Sequence, residues 1–324
     1  MSANDVPMIQ ERRLLDRERL ILTLAIGIIT CIFSIYFAMA RGGGAGDLRY
    51  TLLPARDWLT GKDPYLPYKT NSDPLAVPYP FTAVLLTVPV SWMADEYAAG
   101  IFSGIGAGAL AWFIFKRKEN WRLLIFLSWP FANSLIFAQW APYIASMFFT
   151  PGLLLFLFVK PQLALPFVLT QKPTQRGIIL AAAILAVSIG LYPAWPVDWL
   201  GSIHNFIGIP PLFIFPLGPL LLLALTRYRD KRAWLLVLMA VMPQRMVYDQ
   251  LGVLLVAENR TQQLLLVLCS WISFPLLLFY HGWENIPWGW QNWVLIESYL
   301  PALMVVLAPS MKAWNEKVKE RKNV

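Results

Sequence analysis

Apolar residues run along this chain in long blocks separated by short charged clusters. The first block, Leu20 to Ala40, holds 21 residues without a charge, enough to span about 30 Å of hydrocarbon at roughly 1.5 Å per residue. No small-residue cleavage site follows it, only Arg41 and a glycine run, so it reads as a retained anchor and not a signal peptide. Further blocks predict spans over 98–115, 123–138, 143 onward, 177–192, 212–225, 233–242, 248–257, 264–280 and 293–308. The expectation is an all-α, polytopic transmembrane helical bundle of about ten crossings, within a range of nine to eleven. Residues 81–93 are apolar but short and are followed by Asp95 and Glu96, which fits a re-entrant or interfacial helix as well as a span. Residues 123–159 carry no charge and can form a hairpin, with its outer turn at Gln139–Pro142 or at Pro151–Gly152.

Charge orients this pattern. Of 27 basic residues, 19 fall in five patches, at 12–19, 116–122, 172–176, 227–232 and 312–322. Under the positive-inside rule these mark the cytoplasmic side. The chain then divides into a cytoplasmic N-terminal segment 1–19, one transmembrane domain 20–309 and a basic cytoplasmic tail 310–324, with both termini cytoplasmic. The other eight cations, Arg41, Arg49, Arg56, Lys62, Lys69, Lys160, Arg245 and Arg260, need a separate reason. Composition agrees with the membrane reading: 57% of the 324 residues are hydrophobic, 14% are charged, and mean hydropathy is +0.53. Fifteen Trp, nineteen Phe and twelve Tyr suit helix ends in the headgroup layer. Disorder, collagen and a disulfide-stapled secreted domain are excluded. Cys31 and Cys269 lie in apolar runs and offer no disulfide or metal site. The net charge of +8 sits between spans and does not point to nucleic acid.

Polar chemistry gathers in three places. The stretch 41–80 is the longest non-apolar segment, placed outside the cytoplasmic leaflet. Within it Leu48, Leu52, Leu53, Ala55 and Leu59 alternate with Arg49, Arg56 and Asp57 as in an interfacial amphipathic helix. Asp47 stands at the junction before it, either as a carboxylate projecting into a cavity at the bilayer surface or as a cap for the helix near Leu48. The second place is Lys160-Pro161-Gln162, a cation and an amide at a helix break, functional or snorkelling to headgroups. The third is Pro243 to Gln250, where Arg245 can bind a phosphate or pair with Asp249 at i,i+4, beside Tyr248. Gln139, Asp198, His204, Glu284 and Glu297 are weaker signals, each more often a capping or headgroup residue. No HExxH, Walker loop or CxxC pair occurs.

At these residues the chain resembles the polytopic GT-C glycosyltransferases, in particular glycosyltransferase family 87. The resemblance rests on GDLRYTLLPARDWLTGKDPY with its Gly61-x-x-Pro64-Tyr65, on VPYPFTAVLLTVPVSWM, on Lys160-Pro161 and on the segment 243–250. It departs where Tyr79-Pro80-Phe81 replaces Tyr-Pro-Pro and Ala138-Gln139-Trp140 replaces Gly-Gln-Asn. The resemblance implies a GT-C-like fold in a bacterial plasma membrane and an extracytoplasmic active site. It implies transfer of a mannose-like hexose or a pentose from a polyprenyl-phosphate donor to a glycolipid or glycan acceptor. Asp47 would be the general base of an inverting displacement. Lys160 and Arg245, and more weakly Arg49, would offset the donor phosphate, while Gln162, Gln139, Tyr248, Asp249 and Tyr79 line the site. No metal and no cofactor beyond the donor is expected, and no nucleic acid. The competing readings are a lipid or sugar transporter or flippase, and an inactive membrane scaffold.

Overall fold

The computed structural model describes residues 16–70, 79–203, 208–244, 247–280, 285, 287 and 289–308. Among these the architecture is helical, and the one β-bridge joins Ile209 to Gln244. The α-helices in order are α1 Asp16–Ala40, α2 Arg49–Leu59, α3 Leu66–Lys69, α4 Phe81–Thr87, α5 Asp95–Arg117, α6 Trp129–Ile136 and α7 Ala141–Ser146. There follow α8 Pro161–Thr170, α9 Gln175–Leu191, α10 Trp195–Ile203, α11 Lys231–Val241, α12 Arg260–Cys269, α13 Phe274–Tyr280 and α14 Gly289–Val294. Four stretches are long and apolar enough to cross a membrane: Asp16–Ala40, Asp95–Arg117, Arg260–Tyr280 and Gly289–Ala308. A fifth arises if α9 and α10, bent by 98° at their junction, count as one span.

The other apolar blocks form shorter pieces. Residues 120–127, 151–158, 218–227 and 247–256 wind as 3₁₀ segments. That winding rises roughly 2.0 Å per residue. Val247–Val256 thus covers about 20 Å in ten residues. It runs from Tyr248 and Asp249 at one end of the bundle to Leu255 and Val256 at the other. There the carbonyls of Leu255 and Val256 accept from Arg122 Nη1 (3.1 Å) and Arg232 Nη1 (3.4 Å). Residues 81–93 likewise form a short piece, since α4 and the 3₁₀ turn after it end at Val90.

The longest packed pair is α1 against α5, antiparallel and close because glycines line the contact. A Cβ on Gly104 would stand 2.7 Å from the Gly27 carbonyl oxygen and 2.9 Å from Cys31 Cβ. Ser34 Oγ donates to Ser103 Oγ (3.1 Å) in the same seam. Overpacking of this kind typically costs about 1–3 kcal/mol, so Gly104→Val is expected to lower the thermal midpoint of detergent-solubilised protein. An unchanged midpoint would show that the two helices separate freely.

The antiparallel pairing gives the bundle two distinct ends. One gathers the start of α1, Arg117, Arg122, Arg227 and Arg232, with Arg227 Nη1 on the Val306 carbonyl (3.1 Å) and Arg117 Nε on that of Phe149 (3.0 Å). Pro151 and Gly152 lie against Gly177 near this end, whereas Gln139 lies near the opposite one. Gln139, and not Pro151, therefore marks the turn at the end away from the basic patches.

Candidate functional site

The end opposite the basic patches holds a cavity of about 400 Å³, within the roughly 300–1,000 Å³ usual for small-molecule sites. Asp47, Tyr50, Tyr79, Phe137, Lys160, Gln162, Tyr248 and Asp249 line it, with Trp199 and Ile203 of α10 closing one wall. Local backbone geometry places the carboxylate. Gly46 has φ +57°, and a Cβ there would lie 2.8 Å from the Phe137 carbonyl oxygen, so the close approach needs glycine. The next residue, Asp47, donates its N–H to that same carbonyl (2.9 Å).

On the facing strand of chain, α6 ends as a Schellman motif: Gln139 N–H bonds the Ser134 carbonyl (2.8 Å) and Ala138 N–H that of Leu135 (3.3 Å). Ala138 takes the left-handed conformation, φ +49°, at a cost of roughly 1–2 kcal/mol for a residue with a Cβ. The outcome is that Gln139, buried, faces Asp47.

Five side chains then form one polar network. Gln139 Nε2 donates to Asp47 Oδ2 (2.5 Å), and Tyr248 OH donates to the same oxygen (2.6 Å). Lys160 Nζ donates to Asp249 Oδ1 (2.6 Å) and, at longer range, to Gln139 Oε1 (3.5 Å). The ammonium also lies 5.1 Å from the centre of the Tyr248 ring. The Lys160 and Asp249 side chains are 10% and 1% exposed, so this is a buried ion pair and not a lysine snorkelling to headgroups. Asp47 does not cap a helix: the helix after it has Leu48 at its N-cap position with no side-chain bond.

Of the residues expected at the site, Asp47, Lys160, Gln162, Tyr248, Asp249 and Tyr79 share the cavity wall, and Gln139 joins them through its bonds. Arg49 does not line the cavity. It is exposed and lies over Tyr50, 5.2 Å from the ring centre, while that ring does face the cavity. Arg245, His204 and Glu284 lie outside the described residues. Glu297 is no headgroup residue: it is fully buried in a π-helical turn, where its Oε2 accepts from Ser273 N–H (3.2 Å). Sequence reasoning missed Tyr50, Phe137, Trp199 and Ile203, whose apolar character gives no signal of a cavity. Among the described residues no three His, Cys, Asp or Glu side chains gather to hold a metal ion.

Beside the cavity, α10 is fastened by a polar clasp. Lys69 Nζ meets Asp63 Oδ2 (2.7 Å) and Asp198 Oδ2 (2.8 Å), and Tyr192 OH bonds the same two carboxylates. The helix α2 packs its buried face, Thr51, Leu52, Pro54 and Ala55, nearby. Four of the off-pattern cations thus have carboxylate partners: Arg56 with Asp95, Lys62 with Asp57, Lys69 with Asp63 and Asp198, and Lys160 with Asp249.

Burial alone would raise the Asp63 carboxyl, but Lys69, the Tyr65 N–H and Tyr192 outweigh it and hold the group below 3.8. Burial likewise works against the Lys69 ammonium, and Asp198, Asp63 and Tyr192 lift it above 10.5 regardless. A carboxylate depressed on folding stabilises above its unfolded value and loses that contribution as pH falls through the folded one; a raised lysine does the reverse at high pH. The difference in thermal midpoint between the wild type and Lys69→Met is therefore expected to be flat from about pH 5 to 9 and to shrink below about pH 4. A difference independent of pH would show that the clasp contributes by packing alone.

Comparison of the chain with protein-family models, with curated proteins and with solved structures gives no match to any of them.

Proposed function

We propose that the chain is an integral-membrane glycosyltransferase. In this reading it moves a sugar from a polyprenyl-phosphate donor to a hydroxyl of a lipid or glycan acceptor on the extracytoplasmic side. The observation that carries it is the meeting of the Asp47 carboxylate and the Lys160 ammonium in one cavity, at the end of the bundle away from the basic patches. By the positive-inside rule that end is extracytoplasmic and both termini are cytoplasmic. A topology of about ten crossings in a GT-C-like arrangement belongs to the same proposal, with the short 3₁₀ segments making up the crossings between the long helices.

The chemistry asks for little. The acceptor oxygen attacks the anomeric carbon, its proton passes to Asp47, and the bond to the phosphate oxygen breaks with the electron pair leaving on the phosphate. The leaving group is already an anion, so a fixed cation suffices to stabilise it. Lys160 supplies that cation within the cavity, and Arg245 is a second on sequence grounds. Arg49, exposed and outside the cavity wall, is dropped as a phosphate ligand.

The buried Lys160–Asp249 pair also suits a transporter, since intramembrane charges often mark a substrate path. Product formation separates the two. Vesicles holding the protein, a radiolabelled polyprenyl-phosphate sugar and a membrane-lipid acceptor pool are expected to yield a new glycosidic bond. Movement of the label between leaflets without a new bond would establish the transporter instead.

A further inference from the structure

We propose that Gln139 is the positioning residue of the Asp47 carboxylate, selecting which of its two oxygens meets the acceptor. The proposal rests on the reading of Asp47 as the base. Both donors to that carboxylate, Gln139 Nε2 and Tyr248 OH, converge on Oδ2. Oδ1 receives neither, and it is the oxygen left to take a proton. Two donors on one oxygen also fix the carboxylate plane, because rotation would break both bonds at once.

The direction of the Gln139 amide is itself determined by its neighbours. Its Oε1 faces the Lys160 ammonium and its Nε2 faces the Asp47 carboxylate. A flipped amide would set NH₂ against the ammonium and C=O against the carboxylate, repulsive at both ends. Lys160 is anchored in turn by Asp249 at 2.6 Å. A chain of contacts therefore runs from Asp249 through Lys160 and Gln139 to Asp47, and an amide suits the third place. It must accept from a cation on one side and donate to an anion on the other. The strained backbone of Ala138 and the glycine at 46 hold its two ends of chain together, as the single short Asp47 N–H bond to Phe137 requires.

This assigns an order to substitutions that polarity alone does not. Gln139→Met keeps the length and loses both bonds. Gln139→Glu keeps the contact with Lys160 but turns the donor to Asp47 into a like charge. With donor and acceptor saturating, kcat is expected to fall about ten- to a hundredfold in Gln139→Met and further in Gln139→Glu, while the donor KM stays within about twofold. The thermal midpoint in detergent follows the same order, Gln139 above Met and Met above Glu. Were the residue present only to satisfy Lys160, Glu would outperform Met in both measurements, and that result would overturn the proposal. So would a rise in donor KM with kcat unchanged. If the wild type transfers no sugar, the glycosyltransferase reading falls, and the midpoints of the two variants still decide the placement of Asp47 by Gln139.

Discussion

Asp47→Asn is expected to leave the protein folded in the membrane and to lower sugar transfer by about 10²–10⁴-fold, the usual contribution of a positioned general base. The substitution isolates chemistry from structure because the Asn side-chain carbonyl can still accept from Gln139 and Tyr248 at the place of Oδ2. What it removes is the oxygen proposed to take the acceptor proton. Asp47→Ala is the contrasting control. It strands the buried donors of Gln139 and Tyr248, at about 1–3 kcal/mol for each donor left unsatisfied, and so lowers stability together with activity. The decisive comparison is transfer per folded molecule, measured in vesicles with labelled donor. Undiminished transfer by Asp47→Asn would remove this carboxylate from the mechanism.

The residues of that network are legible in the amino-acid sequence because polar atoms in apolar surroundings carry a cost that hydropathy displays. Gln139, Lys160, Tyr248 and Asp249 each interrupt an apolar run at a break, and Asp47 stands at the junction between the first apolar block and the polar stretch after it. Their partners are not legible. Spacing exposes only neighbours three or four residues apart, so it offers Arg245 to Asp249, and it gives no sign that this carboxylate meets Lys160 from 89 positions away. Tyr248 reaches Asp47 across 201 positions. Hydropathy likewise shows where the chain is apolar but not how it winds. The block 123–138 looks like one span, yet it is a 3₁₀ segment, a turn and the eight-residue α6.

The departure of Ala138 from the glycine of the resembled motif is another case. The position is left-handed, so glycine is the unstrained residue there. Sequence shows the substitution, and only the backbone shows why glycine would suit the place. Neighbouring Phe137 gives no signal of its bond to Asp47, because what it presents there is a carbonyl group that any residue could supply.

The ion pair beneath the network leads to the second large effect. Lys160→Met leaves Asp249 buried without its ammonium, and Asp249→Leu leaves Lys160 buried without its carboxylate. Removing one member of such a pair typically costs about 3–5 kcal/mol, because desolvation of the remaining charge is no longer offset. Removing both is expected to recover most of that loss, since two apolar side chains of similar volume need no counter-ion. A double-mutant cycle on unfolding of the solubilised protein measures this, and strictly additive losses would show that the pair is not energetically coupled. Transfer activity is expected to behave differently. The double variant regains its fold but not its rate, because the donor phosphate then meets a cavity that has lost its described cation. Stability restored without activity would therefore separate the pairing of Lys160 with Asp249, which holds the bundle together, from the proposed service of its charge to the leaving phosphate.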